Sequence, residues 1–313
     1  MTIAMGTGQK LKMMRRPEWL SQSAWPFESA VLRVGECDVA VTDVGRGPVL
    51  LFVHTGLWSF VWRDLLARLS QEFRCVSFDA PGTGLSTRLP TSKISLETAA
   101  GAVAAVIRAL DLSTFTLVAH DLRGLAGLAG ASEMPERVHG LAAINTFAWP
   151  PWGAVFRAAL GFFGSAPVRE LDAITGLVPR ITATGFGIGR HLDREARRAF
   201  LAAVDPAARR AFHAYLRDAR RCHELYERIA RALDGPFQGL PVLTVFGERN
   251  DSFGFQARWK AMFPRVEQFV IPRGNHFPMC DDPEFVAATI RSWHHERVRP
   301  PSPSWMSSAA FSF

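Results

Sequence analysis

The sequence predicts an α/β fold, a mostly parallel sheet with helices on both faces, and three observations carry that prediction. Short apolar runs alternate with amphipathic helical segments from residue 49 to 144. The alternation stops at Trp149, gives way to about 90 residues of purely helical patterning, and resumes at Pro241. Residues able to do chemistry cluster just after four of the apolar runs, where open parallel sheets place their sites.

Two extended stretches, 31–34 and 38–44, precede a Gly-rich break and the apolar strand 49–53. An amphipathic helix is expected over 60–69, then a strand at 75–78 that ends in the turn Asp79-Ala80-Pro81-Gly82-Thr83-Gly84. The Ala-rich segment 96–110 reads as a helix, 115–119 as a strand, 122–131 as a helix and 138–144 as a strand. Beyond Trp149, Asp205-Pro206 supplies a helix start and Gly235-Pro236 a stop, predicting one long helix over 206–233. Strand 241–246, helix 255–262, strand 268–271 and a helix from Asp282-Pro283 to about Trp293 close the pattern. The expected organisation is an N-terminal extension over 1–27, a core formed by 28–148 with 239–297, a helical cap over 149–238, and a Pro- and Ser-rich tail over 298–313 expected to be disordered.

Composition narrows the function. At 48% apolar and 21% charged the chain is of ordinary globular type. No apolar run approaches the roughly 18 to 20 residues of a membrane span, so no membrane partner is expected. No apolar stretch of signal-peptide length follows Lys10, Lys12, Arg15 and Arg16, which predicts a cytoplasmic location. Cys37, Cys75, Cys222 and Cys280 lie far apart without metal-ligand spacing, so free thiols are expected and no metal or cofactor. The net charge of +7 arises from 4 Lys and 32 Arg dispersed among acids, a pattern of solvated helix faces that predicts no nucleic-acid partner.

Four strand ends carry candidate groups: His54-Thr55-Gly56, Ala119-His120-Asp121-Leu122, Gly247-Glu248-Arg249-Asn250-Asp251 and Gly274-Asn275-His276-Phe277. Asp121 occupies a strand-to-helix turn, where it suits either a nucleophile or a helix N-cap. Asp251 and Glu248 compete as the acid of the third group. Across residues 28–297 the chain resembles the α/β-hydrolase superfamily, through His54, the 79–86 turn, the elbow at Asp121, the inserted cap and the late His276. No GxSxG is present; the His120-Asp121 elbow resembles the aspartate-nucleophile branch of haloalkane dehalogenases and epoxide hydrolases.

That resemblance implies roles. Asp121 attacks an electrophilic carbon to form an ester, His276 activates the hydrolytic water, and Asp251 orients the imidazole. The backbone N–H of Leu122, with one from Thr55 or Gly56, stabilises the oxyanion. Asp251 stands one place beyond the usual acid, where this chain has Asn250, and the alternative acid position holds Asn145. Leu122 replaces the halide-binding Trp of dehalogenases, leaving Trp58 and Trp149 as candidate donors. Arg123 takes the place of an elbow glycine, and the oxyanion loop is one residue short.

The leading expectation is a haloalkane-dehalogenase-like hydrolase acting with water on a small hydrophobic substrate. Epoxide hydrolysis is the alternative. On an unbroken helix, however, Tyr215 and Tyr226 would sit roughly 16 Å apart and could not share an epoxide oxygen. A catalytically weak binder of hydrophobic ligands is the remaining reading.

Overall fold

A computed structural model describes residues 11–54, 57–151 and 153–298. Along the chain the strands are β1 (Lys12–Met13), β2 (Ala30–Val34), β3 (Cys37–Val44), β4 (Val49–Val53), β5 (Arg74–Phe78), β6 (Phe115–His120), β7 (Val138–Ile144), β8 (Val242–Gly247) and β9 (Glu267–Ile271). They form one sheet in the order β1-β2-β3-β5-β4-β6-β7-β8-β9. The β1, β2, β3 and β5 neighbours pair antiparallel, and every pair from β5 to β9 is parallel. From β4 the chain first builds outward to β5, then crosses back to β6. The carboxyl ends of β4 and β6 therefore flank a topological switch point, the crevice where such sheets bind ligands.

Strand burial explains the parallel part. Leu51 and Val53 of β4 join one apolar cluster and Leu50 and Phe52 the other, so successive side chains feed opposite faces and both must be covered. Helices α1 (Arg63–Leu69), α2 (Leu96–Ala109) and α3 (Asp121–Ala131) follow the first strands. Between β7 and β8 lie α4 (Ala154–Phe163), α5 (Ala166–Thr175), α6 (Leu177–Thr182), α7 (Arg194–Ala202), α8 (Pro206–Asp218) and α9 (His223–Asp234), with no strand among the described residues. Helix α10 (Phe255–Met262) follows β8; α11 (Pro278–Asp281) and α12 (Pro283–Arg297) follow β9. Residues of α2 and α3 fill one face of the sheet, and those of α1 and α12 the other.

Three expectations need correction. The helix expected over 206–233 is two helices: Arg221 and Cys222 both turn back to donate to the Asp218 carbonyl, and the chain leaves the helical path there. Tertiary contacts decide the break, because α8 packs on α4 and α5 whereas α9 packs on α3. The helix expected over 60–69 begins as a 3-10 turn, Ser59–Trp62, before α1. Residues 11–27 do not form a separate extension: Lys12 and Met13 pair with Val31 and Ala30, and Leu20, Ala24 and Trp25 are buried. The tail from residue 299, like Trp152, lies outside the described residues.

Helices α2 and α3 meet at Gly130, where an added Cβ would lie 2.5 Å from the Ala100 carbonyl oxygen and 2.6 Å from the Val103 Cβ. Backbone cannot yield there as a flexible side chain could. Gly130→Val is expected to lower stability by roughly 1 to 3 kcal/mol, the usual cost of overpacking, read as a reduced denaturant midpoint. An unchanged midpoint would show that the two helices can separate freely.

Candidate active site

The backbone of Asp121 turns at φ +48°, a left-handed conformation at the first residue of α3. Asp tolerates that region better than most residues, and the turn lifts its side chain clear of the β6 end. Two neighbours hold the turn in place. Thr146 Oγ1 donates to the Asp121 carbonyl at 2.7 Å. Gly124 lets α3 close on the same threonine, since a Cβ there would fall 2.3 Å from Thr146 Oγ1. The elbow glycine is thus displaced by one position relative to the expected pattern.

His276 reaches this elbow from the loop after β9: its Nε2 lies 3.3 Å from Asp121 Oδ2, with both side chains partly exposed. The loop is clasped from below. The His276 carbonyl accepts from Asn145 Nδ2 at 2.9 Å and faces His120 Nε2 at 2.9 Å, while the Asn275 N–H donates to Asp281 Oδ2. Asn145 is itself at φ +38°, and its Oδ1 accepts from the Gly247 N–H at 3.1 Å. One amide therefore ties the ends of β7 and β8 to the histidine loop. Asn145, at the alternative acid position, serves as a structural clasp.

The acid expected at His276 is elsewhere. Asp251 accepts from the backbone N–H groups of Phe255, at 2.6 Å, and Gln256, at 3.2 Å, and so caps the start of α10. Burial raises its pKa, opposed by those N–H donors. The group facing His276 Nδ1 is Asn250, whose Oδ1 lies 3.3 Å away. Sequence reasoning favoured Asp251 because it carries a charge, but the Asn250 N–H closes a turn onto the Gly247 carbonyl and brings residue 250 to the histidine. The alternative acid, Glu248, accepts from the Arg273 N–H. Position relative to Gly247 was the better signal.

The remaining predicted residues divide. Leu122 is buried at the N-terminal turn of α3, whose first N–H groups have no acceptor within the helix. Thr55 and Gly56, the expected second oxyanion donors, lie outside the described residues. Trp58 packs into an aromatic cluster with Trp19, Trp25 and Phe60, at 4.8 to 6.0 Å between ring centroids. Trp149 packs beside Trp259 and Phe255, with the Arg258 guanidinium 4.5 Å from its ring centroid. Tyr215 and Tyr226 donate to different carbonyls, those of Pro81 and Ala219.

Two buried groups add to the electrostatics. His54 Nε2 lies 3.6 Å from Asp79 Oδ1, and Asp79 also accepts from the Ser59 and Leu85 N–H groups, which ties the 79–86 turn to the segment after β4. Arg123, 1% exposed, runs beneath the elbow: its guanidinium lies 4.4 Å from the Tyr215 ring centroid and donates to Thr83 Oγ1. Chemically, Asp121 and His276 pair a carboxylate with a base on a strained turn at the N-terminal end of α3. Such a set can run nucleophilic displacement followed by hydrolysis.

The fold is that of an α/β hydrolase, and a family model described as the alpha/beta hydrolase fold matches residues 48–185. Haloalkane dehalogenase 2 of Mycobacterium tuberculosis (strain ATCC 25618 / H37Rv) is 29% identical over 273 residues, 85% of this chain and 94% of that protein. A cis-3-alkyl-4-alkyloxetan-2-one decarboxylase of Xanthomonas campestris is 26% identical over 286 residues, 82% of this chain and 92% of that one. A haloalkane dehalogenase structure from Bradyrhizobium elkani superposes with a TM-score of 0.72 at 19% identity, covering 85% of this chain and 97% of that one. The chain has an α/β-hydrolase fold, resembles haloalkane dehalogenases over most of its length, and is a hydrolase.

His120 gives a pH signature. Burial first, then the neighbouring His276, pushes its pKa down from the ordinary 6.5 to about 3. Unfolded, it takes up a proton near pH 6.5; folded, it stays neutral until about pH 3. Its contribution is therefore complete above pH 6.5 and is lost progressively as pH falls toward 3. We expect His120→Gln, which keeps a donor near the His276 carbonyl, to flatten the decline in stability between pH 6.5 and 4.5 by up to about 2.7 kcal/mol. Denaturant titrations across that range check it, and an unaltered slope would assign the acid sensitivity elsewhere.

Proposed function

We propose a cofactor-free hydrolase of haloalkane-dehalogenase type that acts on a small apolar substrate through a covalent ester on Asp121. The supporting observation is the 3.3 Å approach of His276 Nε2 to Asp121 Oδ2 at a left-handed elbow. In the first step a carboxylate oxygen of Asp121 attacks an sp³ carbon, the C–O bond forms, and halide departs with the C–halogen electron pair. In the second step His276 Nε2 takes a proton from water, whose oxygen attacks the ester carbonyl carbon. The N–H of Leu122 stabilises the oxyanion, with Thr55 or Gly56 as the second donor and Trp58 or Trp149 as halide donors. Collapse expels the alkoxide, which takes the proton from His276 and leaves as the alcohol, and the Asp121 acid so formed releases its remaining proton to solvent to restore the carboxylate.

Asn250 takes the positioning role assigned in the sequence reading to Asp251. Its Oδ1 favours the tautomer with hydrogen on Nδ1, which leaves Nε2 free to accept a proton. As a neutral amide it adds no charge to steady the imidazolium that forms. Hydrolysis of the ester is then the slower step. Water is the co-substrate, the setting is cytoplasmic, and no nucleic acid takes part.

Epoxide opening draws little support, since Tyr215 and Tyr226 donate to carbonyls at separate places despite the break between α8 and α9. The test is intact and peptide mass spectrometry after exposure to brominated and chlorinated alkanes, epoxides and a β-lactone. A substrate-sized adduct on the Asp121 peptide is expected, increased in His276→Ala. An adduct on another residue, or turnover with Asp121→Ala, would overturn the mechanism.

Substitutions at the two neighbouring acid candidates separate their roles. Asn250→Asp should raise ester hydrolysis at least about tenfold, since a carboxylate in that place typically contributes orders of magnitude. Asp251→Asn should leave turnover within about twofold but cost on the order of 1 kcal/mol of stability through the weakened cap of α10. Single-turnover kinetics and thermal melts read the two effects; a turnover collapse in Asp251→Asn would restore the original acid assignment.

A further inference from the structure

Eight of the twelve large apolar side chains exposed among the described residues fall between residues 155 and 186, on α4, α5, α6 and the turn after them. Leu171, Ile174, Leu177 and Ile181 recur at steps of three and four. All four are exposed, two on α5 and two on α6 across the left-handed Gly176, while α5 turns Asp172 and Ala173 inward. Ile174 is 79% exposed, Phe186 77% and Val155 73%, apolar side chains where a solvated helix face carries polar ones.

The charge around this surface has one sign. Between residues 153 and 190 the acids are Glu170 and Asp172. Asp172 is buried 3.1 Å from His213, and Glu170 is held by Arg169 and Arg210. Arg157 and Arg180 make no ion pair among the described residues. Where α4 ends and α5 begins, a cavity of about 230 Å³ is lined by Leu160, Gly161, Ser165, Arg217, Arg220 and Arg221. Its three guanidinium groups have no ion-pair partner among the described residues, and the nearby Asp218 carboxylate is occupied by the Leu96 N–H.

We propose that this face docks on an anionic lipid bilayer, with Arg217, Arg220 and Arg221 at the lipid phosphates and the side chains around Ile174 at the acyl boundary. An apolar surface rimmed with unpaired arginines matches the two attractions that hold interfacial helices, burial of apolar area and pairing with anionic headgroups. Two-fold pairing with a second copy would set these arginines against themselves. Among the described residues no helix is long and apolar enough to cross a membrane. The dispersed arginine count in the sequence hid this arrangement, because the turns that gather α4, α5 and the end of α8 bring distant residues together.

The test is cosedimentation of the full chain with phosphatidylcholine vesicles and with vesicles containing phosphatidylglycerol, at low and high salt. Binding to the anionic vesicles is expected to exceed binding to the neutral ones and to weaken with salt. Ile174→Asp with Ile181→Asp should lower partitioning at least about tenfold, and each of Arg220→Gln and Arg221→Gln about fivefold, equivalent to about 1 kcal/mol. These positions are exposed, and matching thermal melts will show that the variants fold. Equal binding to both vesicle types, no binding, or binding unaffected by the variants would overturn the proposal. So would a dimer by light scattering that Ile174→Asp dissolves without any vesicle binding.

Discussion

The backbone of Asp121 at φ +48° is the constraint on which the rest of the site depends. A residue at the end of a buried parallel strand would otherwise continue into the helix with its side chain against the sheet. The left-handed turn instead lifts the carboxylate into the crevice where β4 and β6 diverge, and costs on the order of 1 to 3 kcal/mol that surrounding contacts must offset. Those contacts are identifiable: the Thr146 hydroxyl on the Asp121 carbonyl, and α3 drawn down on Thr146 because Gly124 has no Cβ. The same short stretch, Asn145 and Thr146, thus fixes both the elbow and, through the Asn145 amide, the loop that carries His276. Asp121 and His276 both hang on this one strand end, so their separation is set by β7 more than by either loop.

Much of this was legible in the sequence. Short apolar runs identified the strands, and Asp121, Asn250 and His276, each expected just past such a run, are brought together at the carboxyl edge of the sheet. What escaped had physical causes. The acid assignment went to Asp251 because charge was weighed above register, while the turn Gly247-Glu248-Arg249-Asn250 places residue 250 at the histidine and leaves 251 to cap α10. The broken helix after Asp218 could not be read from caps, since the interruption serves tertiary contacts: Asp218 turns its carboxylate to the Leu96 N–H, and α9 leaves toward α3. The apolar surface on α4 to α6 was invisible because helical patterning alone does not say whether an apolar face turns inward or out.

Arg123 shows how a departure from a family pattern can be absorbed. A side chain two residues past the nucleophile would crowd the turn if it pointed toward the sheet. It runs instead beneath α8, over the Tyr215 ring and onto Thr83, while Tyr215 donates to Pro81 in the same turn. A fully buried guanidinium is costly without partners, and these groups supply a ring face and a hydroxyl acceptor. The effect is a tie between the helical segment and the elbow: α8 rests on Arg123, two residues past Asp121. Movement of α8 would therefore be felt at Asp121 through two bonded neighbours.

Under the proposed chemistry, the amide at position 250 alters the two half-reactions unequally. Attack by the Asp121 carboxylate needs no proton transfer and makes no demand on the partner of His276 Nδ1. Hydrolysis does, because taking a proton from water turns His276 into a cation, and the group at Nδ1 then decides how well that cation is tolerated. Asn250 holds the ring in orientation through a hydrogen bond at 3.3 Å but contributes no opposing charge. The nearest carboxylate to the imidazolium is Asp121 itself, which is neutralised as an ester at that moment. Asp251, occupied by two N–H groups of α10, is not free to turn toward the ring without uncapping that helix. A chain arranged in this way forms its ester readily and surrenders it slowly, so binding and turnover are separated by the identity of one side chain.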